Sequence, residues 1–115
     1  MPSLRRICAT AEDKAADYLL SLGYTIVTRR FKSSRGEIDL VAYDGDLLVF
    51  VEVKYRSRDE FVPEEQVTDR KVAHFSVAVD EYLHKAGVPQ AQCRFDIIAV
   101  TPTNLRHHID AFRGK

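Results

Sequence analysis

The sequence is poor in the features that mark secreted, membrane-spanning or strongly basic proteins. Among its 115 residues there are only two cysteines, Cys8 and Cys93, which are too few for a disulfide framework and lack zinc-ligand spacing. No apolar run reaches the length of a membrane span, and the N-terminus has no apolar signal region. Basic and acidic residues number 17 each, so the net charge of zero argues against a strongly basic nucleic-acid-binding coat. We therefore expect a cytoplasmic protein with reduced thiols.

The length and composition are typical of one globular domain. A chain of 115 residues is long enough for one hydrophobic core but not for two, and its 45% hydrophobic and 30% charged residues are ordinary. The sequence contains no internal repeat, low-complexity tract or long linker. We expect a single domain over residues 1–115.

The most informative stretch is a predicted β-hairpin. Residues 37–43 and 47–56 are predicted to form two strands, and Asp44 and Gly45 between them favour a two-residue type I′ turn. Residues 47–51 are apolar at every position, which indicates a strand buried on both faces. That strand nevertheless continues into Glu52, Lys54 and Arg56.

The alternation of side chains along strands brings acidic residues of the hairpin together. Glu52, Lys54 and Arg56 share one face, as do Glu37 and Asp39 on the preceding strand. A two-residue loop at Asp44 and Gly45 sets Glu37 opposite Glu52 and leaves Asp39 one diagonal step away. A four-residue loop sets Asp39 directly opposite Glu52, and a three-residue loop separates the two carboxylates. The turn residues favour the two-residue loop.

Two converging carboxylates beside a lysine are consistent with a hydrolytic metal site. Mg²⁺ prefers oxygen ligands and is often held by one or two carboxylates. The pattern therefore predicts Asp39 and Glu52 as ligands of Mg²⁺ or Mn²⁺, with Lys54 orienting or deprotonating a water or neutralising phosphate charge. The alternative is an ion-pair network of the same three residues, since buried charges need partners.

Basic residues flank this hairpin and suggest contacts to phosphate. No acidic residue interrupts positions 29–35, and two further arginines follow the hairpin. Beside a candidate metal site such residues are expected to form a phosphate-binding track, whereas the alternative is an ordinary solvated loop. The residues predicted to bind nucleic acid are Arg29, Arg30, Lys32, Arg35, Arg56, Arg58 and, in the next helix, Lys71.

The remaining periodicities predict the other elements. Residues 10–22 and 63–86 read as helices, the first with Thr10 and Asp13 as a capping box and Gly23 at its end. Residues 24–31, 94–100 and 105–112 read as strands, and a mobile basic loop is expected at 32–36. Asp96 is predicted to be a buried partner of an arginine, and the four histidines are predicted to be surface or packing residues. Glu12 is either a first-turn acid favoured by the helix dipole or a third acidic member of the site.

Asp39 followed thirteen positions later by Glu52-Val53-Lys54 resembles the PD-(D/E)xK nuclease signature. The wider pattern is similar to the YraN-like family of small bacterial proteins, through segments that include Arg35 to Leu40, Leu48 to Lys54 and Arg94 to Asp96. The chain departs from the usual family pattern at several positions. Ala11 stands where the family usually has Gly, and Arg30 stands where it usually has Asn.

The resemblance implies a restriction-endonuclease-like α/β fold, with a mixed central sheet that contains a central hairpin and is flanked by two main helices. It also implies a Holliday-junction-resolvase-like, metal-dependent endonuclease that cuts DNA, including branched DNA, as a homodimer. On this reading Asp39, Glu52, Lys54 and Glu12 are catalytic and Glu37 supports them. Two other functions stay open: a non-catalytic nucleic-acid-binding or adaptor module, and a protein-interaction domain without affinity for nucleic acid.

Overall fold

The computed structural model describes residues 4–57 and 69–111, with side chains from residue 10 in the first helix and from residue 73 in the second. The elements are α1 (Leu4–Ser21), β1 (Thr25–Ser33), β2 (Gly36–Asp44), β3 (Leu47–Tyr55), α2 (Asp69–Ala86), β4 (Cys93–Val100) and β5 (Leu105–His108). This order is the predicted one.

The strands form one mixed sheet in the order β1-β2-β3-β4-β5. The pairs β1–β2, β2–β3 and β4–β5 are antiparallel, and β3–β4 is parallel. The parallel pair requires a crossover, which contains α2, because a parallel neighbour cannot be reached through a tight turn. The α/β fold predicted from the sequence is therefore confirmed, and it is consistent with a restriction-endonuclease-like core.

The two helices cover opposite faces of the sheet. The α1 face buries Ala15 and Leu19 against β-strand residues such as Leu40, Val49 and Val51. On the other face, residues of α2 pack against residues of the strands in a second buried cluster. The α2 residues are Phe75, Ala78, Val79 and Leu83, and the strand residues include Ile38, Val41, Leu48 and Phe50. The run 47–51 thus belongs to a central strand that is buried on both faces, as its continuous apolar character predicts.

Several predicted boundaries were wrong. Helix α1 begins at Leu4 rather than at Thr10, because residues 4–9 contain no helix breaker, and Thr10 therefore lies inside the helix rather than at its cap. The basic loop at 32–36 is reduced to a two-residue turn, since β1 runs to Ser33 and β2 begins at Gly36. Strand β3 ends at Tyr55 and β5 at His108. The predicted start of the second helix lies outside the described residues.

No helix in the described ranges is both long and apolar enough to cross a membrane.

Candidate active site

The hairpin of β2 and β3 places Asp39 opposite Glu52. The observed pairs run from Asp44 with Leu47 to Leu40 with Val51, and the next position in this register joins Asp39 and Glu52. The turn consists of Gly45 and Asp46, not of Asp44 and Gly45 as predicted. Gly45 has a φ of 65° and Asp46 has no positive φ, which is the pattern of a type II′ turn with glycine first. The observed strand register differs from the predicted one by two positions. The carboxylates of Asp39 and Glu52 therefore still lie near each other, at the end of the hairpin away from the turn.

Asp39 lies where the regular alternation of β2 is interrupted. Ile38 packs on the α2 face and Leu40 on the α1 face, although residues two apart on a strand normally share a face. Between them the Asp39 carboxylate turns toward the neighbouring strand, where its Oδ2 accepts a hydrogen bond of 2.8 Å from the backbone N–H of Val53. In the described part of the chain this is the one hydrogen bond to Asp39, and no cation forms an ion pair with it.

These surroundings raise the pKa of Asp39 to about 6. Burial is the main cause, because it disfavours the charged carboxylate, and the hydrogen bond from Val53 opposes it. The negative charges of Glu12, Glu52 and Glu37 raise the pKa further. Asp39 is therefore a poorly compensated carboxylate inside an acidic cluster.

Glu52 and Lys54 follow on the α2 side of β3. Lys54 Nζ lies 3.1 Å from Glu52 Oε2, and each side chain is 22% exposed. The predicted lysine and glutamate of the site are thus in contact and half-buried, and Glu52 lines a cavity together with Asp39.

Glu12 approaches Asp39 from helix α1, on the opposite side of the sheet. It is 7% exposed, and its carboxylate accepts hydrogen bonds from Nε of Arg30 at 3.1 and 3.3 Å. Arg29 Nη2 lies 3.5 Å from Glu12 and 2.6 Å from Asp13. Arg29 and Arg30, two of the five arginines that the sequence assigned to nucleic-acid binding, are therefore paired with acidic residues of α1.

The other predicted basic residues differ in their exposure. Lys32 and Arg35 are exposed and Arg56 is half-buried. The turn that carries Arg35 is attached to α2, since the backbone N–H of Ser34 donates to Glu81 Oε1 at 3.0 Å and the Ser34 hydroxyl donates to Glu81 Oε2. The mobile loop predicted here is instead a turn that is fixed to α2. Arg58 and the side chain of Lys71 lie outside the described residues.

Two cavities meet at Asp39 and Glu37. The α1-side cavity has a volume of about 420 Å³ and is lined by Ala11, Glu12, Arg30, Lys32, Glu37, Asp39, Val53 and Tyr55. The α2-side cavity has a volume of about 290 Å³ and is lined by Arg35, Gly36, Glu37, Asp39, Glu52, His74, Phe75 and Ala78. Asp39 is thus reached from both faces of the sheet, and the structure brings the four predicted acidic residues to the walls of these two cavities.

His74 is a residue at this site that sequence reasoning missed. It lines the α2-side cavity with Asp39 and Glu52, although it was predicted to be a surface or packing residue. It is an exposed helical residue next to the core residue Phe75. His74 reaches the cavity only because α2 packs over the end of β3. The residues next to His74 in the sequence do not indicate this packing.

A second buried carboxylate, Asp96 of β4, has the arginine partner predicted for it. It is 0% exposed and accepts hydrogen bonds of 2.7 to 2.9 Å from Nε and Nη2 of Arg94, from Nε2 of His107 and from the backbone N–H of Asp110. The Tyr18 hydroxyl lies 3.1 Å from His107 Nδ1, and Arg94 also donates to the Tyr24 hydroxyl at 2.7 Å. His107 is accordingly a packing residue, as predicted for it.

The donor set at Asp39 fits a hard divalent cation such as Mg²⁺ or Mn²⁺ better than zinc or another metal that prefers nitrogen and sulfur ligands. Among the residues whose side chains are described, no three histidine, cysteine or acidic side chains converge closely enough to hold a metal ion together. Mg²⁺ commonly uses only one or two carboxylates and completes its shell with water and substrate phosphate. Asp39 and Glu52, which line one cavity, are the two carboxylates that would hold such an ion, and the negative charge of Glu52 contributes to the raised pKa of Asp39.

Comparison with known proteins gives the family. The sequence model of the "Uncharacterised protein family UPF0102" matches residues 11–100. A UPF0102 protein of Hahella chejuensis is 43% identical over 89 residues, covering 76% of this chain and 72% of the relative. UPF0102 proteins of Persephonella marina and Carboxydothermus hydrogenoformans are 39% and 37% identical, covering 88% and 90% of this chain and 88% of each relative. The chain therefore belongs to the UPF0102 family, the YraN-like family that its motifs resemble.

Proposed function

We propose that this protein is a Mg²⁺- or Mn²⁺-dependent nuclease that hydrolyses phosphodiester bonds in DNA, including branched or junction DNA. Paired cuts in a symmetric junction require two active sites, so the proposal includes a homodimer. Asp39 and Glu52 hold the metal ion in this proposal. Lys54 acts on the attacking water, and Glu12 and Glu37 complete the acidic surroundings.

The observation that supports this proposal best is the state of Asp39. A half-buried carboxylate with one hydrogen-bond donor and three acidic neighbours is costly to keep charged, and its pKa of about 6 expresses that cost. Strongly perturbed carboxylates in clefts are typical of functional sites. A divalent cation offsets the repulsion, and a structural role for Asp39 alone does not explain it.

The chain's own residues have separable roles in this reaction. Asp39 Oδ2 is held by the N–H of Val53, which fixes the carboxylate at the end of β2. Lys54, 3.1 Å from Glu52, is placed to orient a water or to neutralise negative charge on a phosphoryl oxygen. The bound metal ion supplies a more acidic water and stabilises charge that develops on phosphate.

A non-catalytic nucleic-acid-binding module is the alternative function. The ion pair between Lys54 and Glu52 favours it, because these two residues already satisfy part of each other's charge. Such a module uses the exposed Lys32 and Arg35 for phosphate contacts and does not need a metal ion.

Cleavage assays with isosteric variants test the proposal. Labelled four-way junction, flap, duplex and single-stranded DNA are incubated with Mg²⁺ or Mn²⁺, using the wild-type protein, Asp39→Asn and Glu52→Gln. We expect cleavage that depends on the metal ion and falls by about 100-fold or more in both variants, as when a group that stabilises developing charge is lost.

The matched control is Asp46→Asn, which changes an exposed carboxylate in the turn of the same hairpin. It should cleave like the wild-type protein. Absence of cleavage by the wild-type protein, with junction binding that neither EDTA nor the site variants alter, would contradict the nuclease and support the binding module.

A further inference from the structure

Arg30 has an unusual backbone conformation beside the candidate site. Its φ is 56°, in the left-handed region, and in the described part of the chain Asp110 is the one other non-glycine residue with positive φ. Residues other than glycine, asparagine and aspartate rarely adopt this conformation, and such strain is concentrated at functional sites. The arginine at this strained position therefore calls for an explanation.

The register places Arg30 next to Asp39. The pairs Arg29 with Leu40 and Phe31 with Ile38 flank the position where Arg30 faces Asp39 across β1 and β2. Arg30 and Asp39 also line the same α1-side cavity. A guanidinium at this position therefore lies beside any phosphate that reaches the carboxylate from the α1 face.

Glu12 holds the guanidinium of Arg30 through one edge. Only Nε of Arg30 donates to the Glu12 carboxylate, at 3.1 and 3.3 Å. Within the described ranges its two terminal Nη groups make no hydrogen bond, and the side chain is 46% exposed. The terminal groups are the pair that binds phosphate in a forked geometry, and here they are fixed in orientation by a buried anchor.

We propose that Arg30 is a preorganised phosphate-binding residue of the α1-side cavity, and that Glu12 positions Arg30 instead of binding metal. The ligand is a backbone phosphate of the nucleic acid, adjacent to the phosphate at Asp39 and Glu52. Lys32, which lines the same cavity, provides a second positive charge for it. This inference rests on the proposed function, because it assumes a nucleic-acid substrate.

The test is DNA binding measured in EDTA, where no cleavage occurs. Fluorescence anisotropy of labelled junction and duplex DNA is recorded over a range of salt concentrations for the wild-type protein and Arg30→Asn. Asparagine tolerates the left-handed backbone, so the variant removes the guanidinium without adding strain. We expect binding to weaken about tenfold, as for a lost charged hydrogen bond, and the slope of log affinity against log salt to fall by about one.

The matched control is Arg106→Asn, an exposed arginine on β5 at the opposite edge of the sheet. It should leave both the affinity and the salt slope near the wild-type values. If Arg30→Asn and Arg106→Asn behave alike, the proposed phosphate contact is wrong.

A double-mutant cycle tests the role of Glu12. If Glu12 acts through Arg30, Glu12→Ala weakens DNA binding in the wild-type protein but has no further effect in the R30N background. Mn²⁺ binding, measured by electron paramagnetic resonance, should be unchanged by Glu12→Ala. Arg30→Asn leaves the buried Glu12 carboxylate without its closest partner, which is able to destabilise the single variant. The double variant removes that carboxylate as well, so it remains a usable test if the single variant unfolds.

The outcomes separate this inference from the proposed function. An equal effect of Glu12→Ala in both backgrounds overturns the positioning role. Loss of Mn²⁺ binding in Glu12→Ala also overturns it and supports Glu12 as a metal ligand. DNA binding by the wild-type protein with an unchanged salt slope in Arg30→Asn overturns this inference alone. If the wild-type protein binds no nucleic acid, the proposed function fails as well.

Discussion

Asp39 and Asp96 are two carboxylates on the strands that flank β3, and their environments are opposite. Asp96 is fully buried but accepts four hydrogen bonds, three of them from Arg94 and His107. Burial raises its pKa, but the hydrogen bonds from His107, Arg94 and the N–H of Asp110 outweigh burial, so the pKa is lowered. Asp39 is less buried, yet its pKa is raised to about 6.

The difference shows that burial alone does not identify a functional carboxylate. A carboxylate whose lone pairs are filled by cations and N–H groups is part of the structure, as Asp96 is. A carboxylate with other carboxylates near it costs more to keep charged, as Asp39 does, and such groups are candidates for cation binding or catalysis. The contrast predicts that Asp96 serves stability and that Asp39 does not, and substitutions at three carboxylates test it.

The largest expected effect is on Asp96. Asp96→Asn removes the charge while Arg94, His107 and Asp110 still present their donors, so buried groups lose their partner. We expect the free energy of unfolding to fall by about 3–5 kcal/mol, as when one member of a buried ion pair is removed. Urea denaturation measures it. Tyr24→Phe, which removes only the acceptor of a hydrogen bond from Arg94, is the milder comparison, and equal small effects of both variants would contradict the structural role.

Asp39→Asn is expected to increase the free energy of unfolding at neutral pH, whereas Asp96→Asn decreases it. Because the pKa of Asp39 is higher in the folded protein than in the unfolded chain, the folded state binds more protons between about pH 4 and pH 6. Stability contributed by the protonated carboxyl is therefore present at pH 4 and lost as the pH rises through 6. In the metal-free protein the variant should be about 1–3 kcal/mol more stable than wild type at pH 7, with little difference at pH 4.

Paired urea denaturation curves at the two pH values check this. A variant that is destabilised at pH 7 would show that the Asp39 carboxylate is a structural group like Asp96. Addition of Mg²⁺ should stabilise the wild-type protein and not the variant, since a ligand stabilises only the state that binds it.

The smallest effect is expected at Glu81, a carboxylate with hydrogen bonds but little burial. Hydrogen bonds from the hydroxyl and the backbone N–H of Ser34 lower its pKa, yet Ser34 is exposed and Glu81 is only partly buried. We expect Glu81→Gln to leave the thermal midpoint unchanged within error. A large decrease would show that the turn at Ser34 and Arg35 depends on Glu81 more than an exposed contact allows.

Much of the fold is predictable from the sequence because its local patterns agree with the final packing. The all-apolar run 47–51 predicts the central strand, and the length of the segment between β3 and β4 allows their parallel pairing. The register of the hairpin is harder to predict, since Gly45 is compatible with either position of a two-residue turn. The correct register has Gly45 in the first position, which sets Asp39 opposite Glu52.

The candidate site is predictable in its acidic residues but not in its partners. Asp39, Glu52 and Lys54 follow from strand alternation, and the structure brings Asp39 and Glu52 to one cavity wall. The pairing of Glu12 with Arg30 and the presence of His74 depend on how α1 and α2 sit on the sheet. Contacts between elements that are distant in the chain leave no periodic pattern in the sequence, so they could not be predicted from it.

The most direct test of the central claim is a titration of the aspartate side-chain carboxyl carbons by nuclear magnetic resonance, with and without Mg²⁺. Asp39→Asn assigns the resonance of Asp39, which should titrate near pH 6 without metal and at a clearly lower pH with Mg²⁺, while Asp96 stays ionised throughout. A titration of Asp39 that Mg²⁺ does not change would contradict the metal site and, with it, the proposed nuclease.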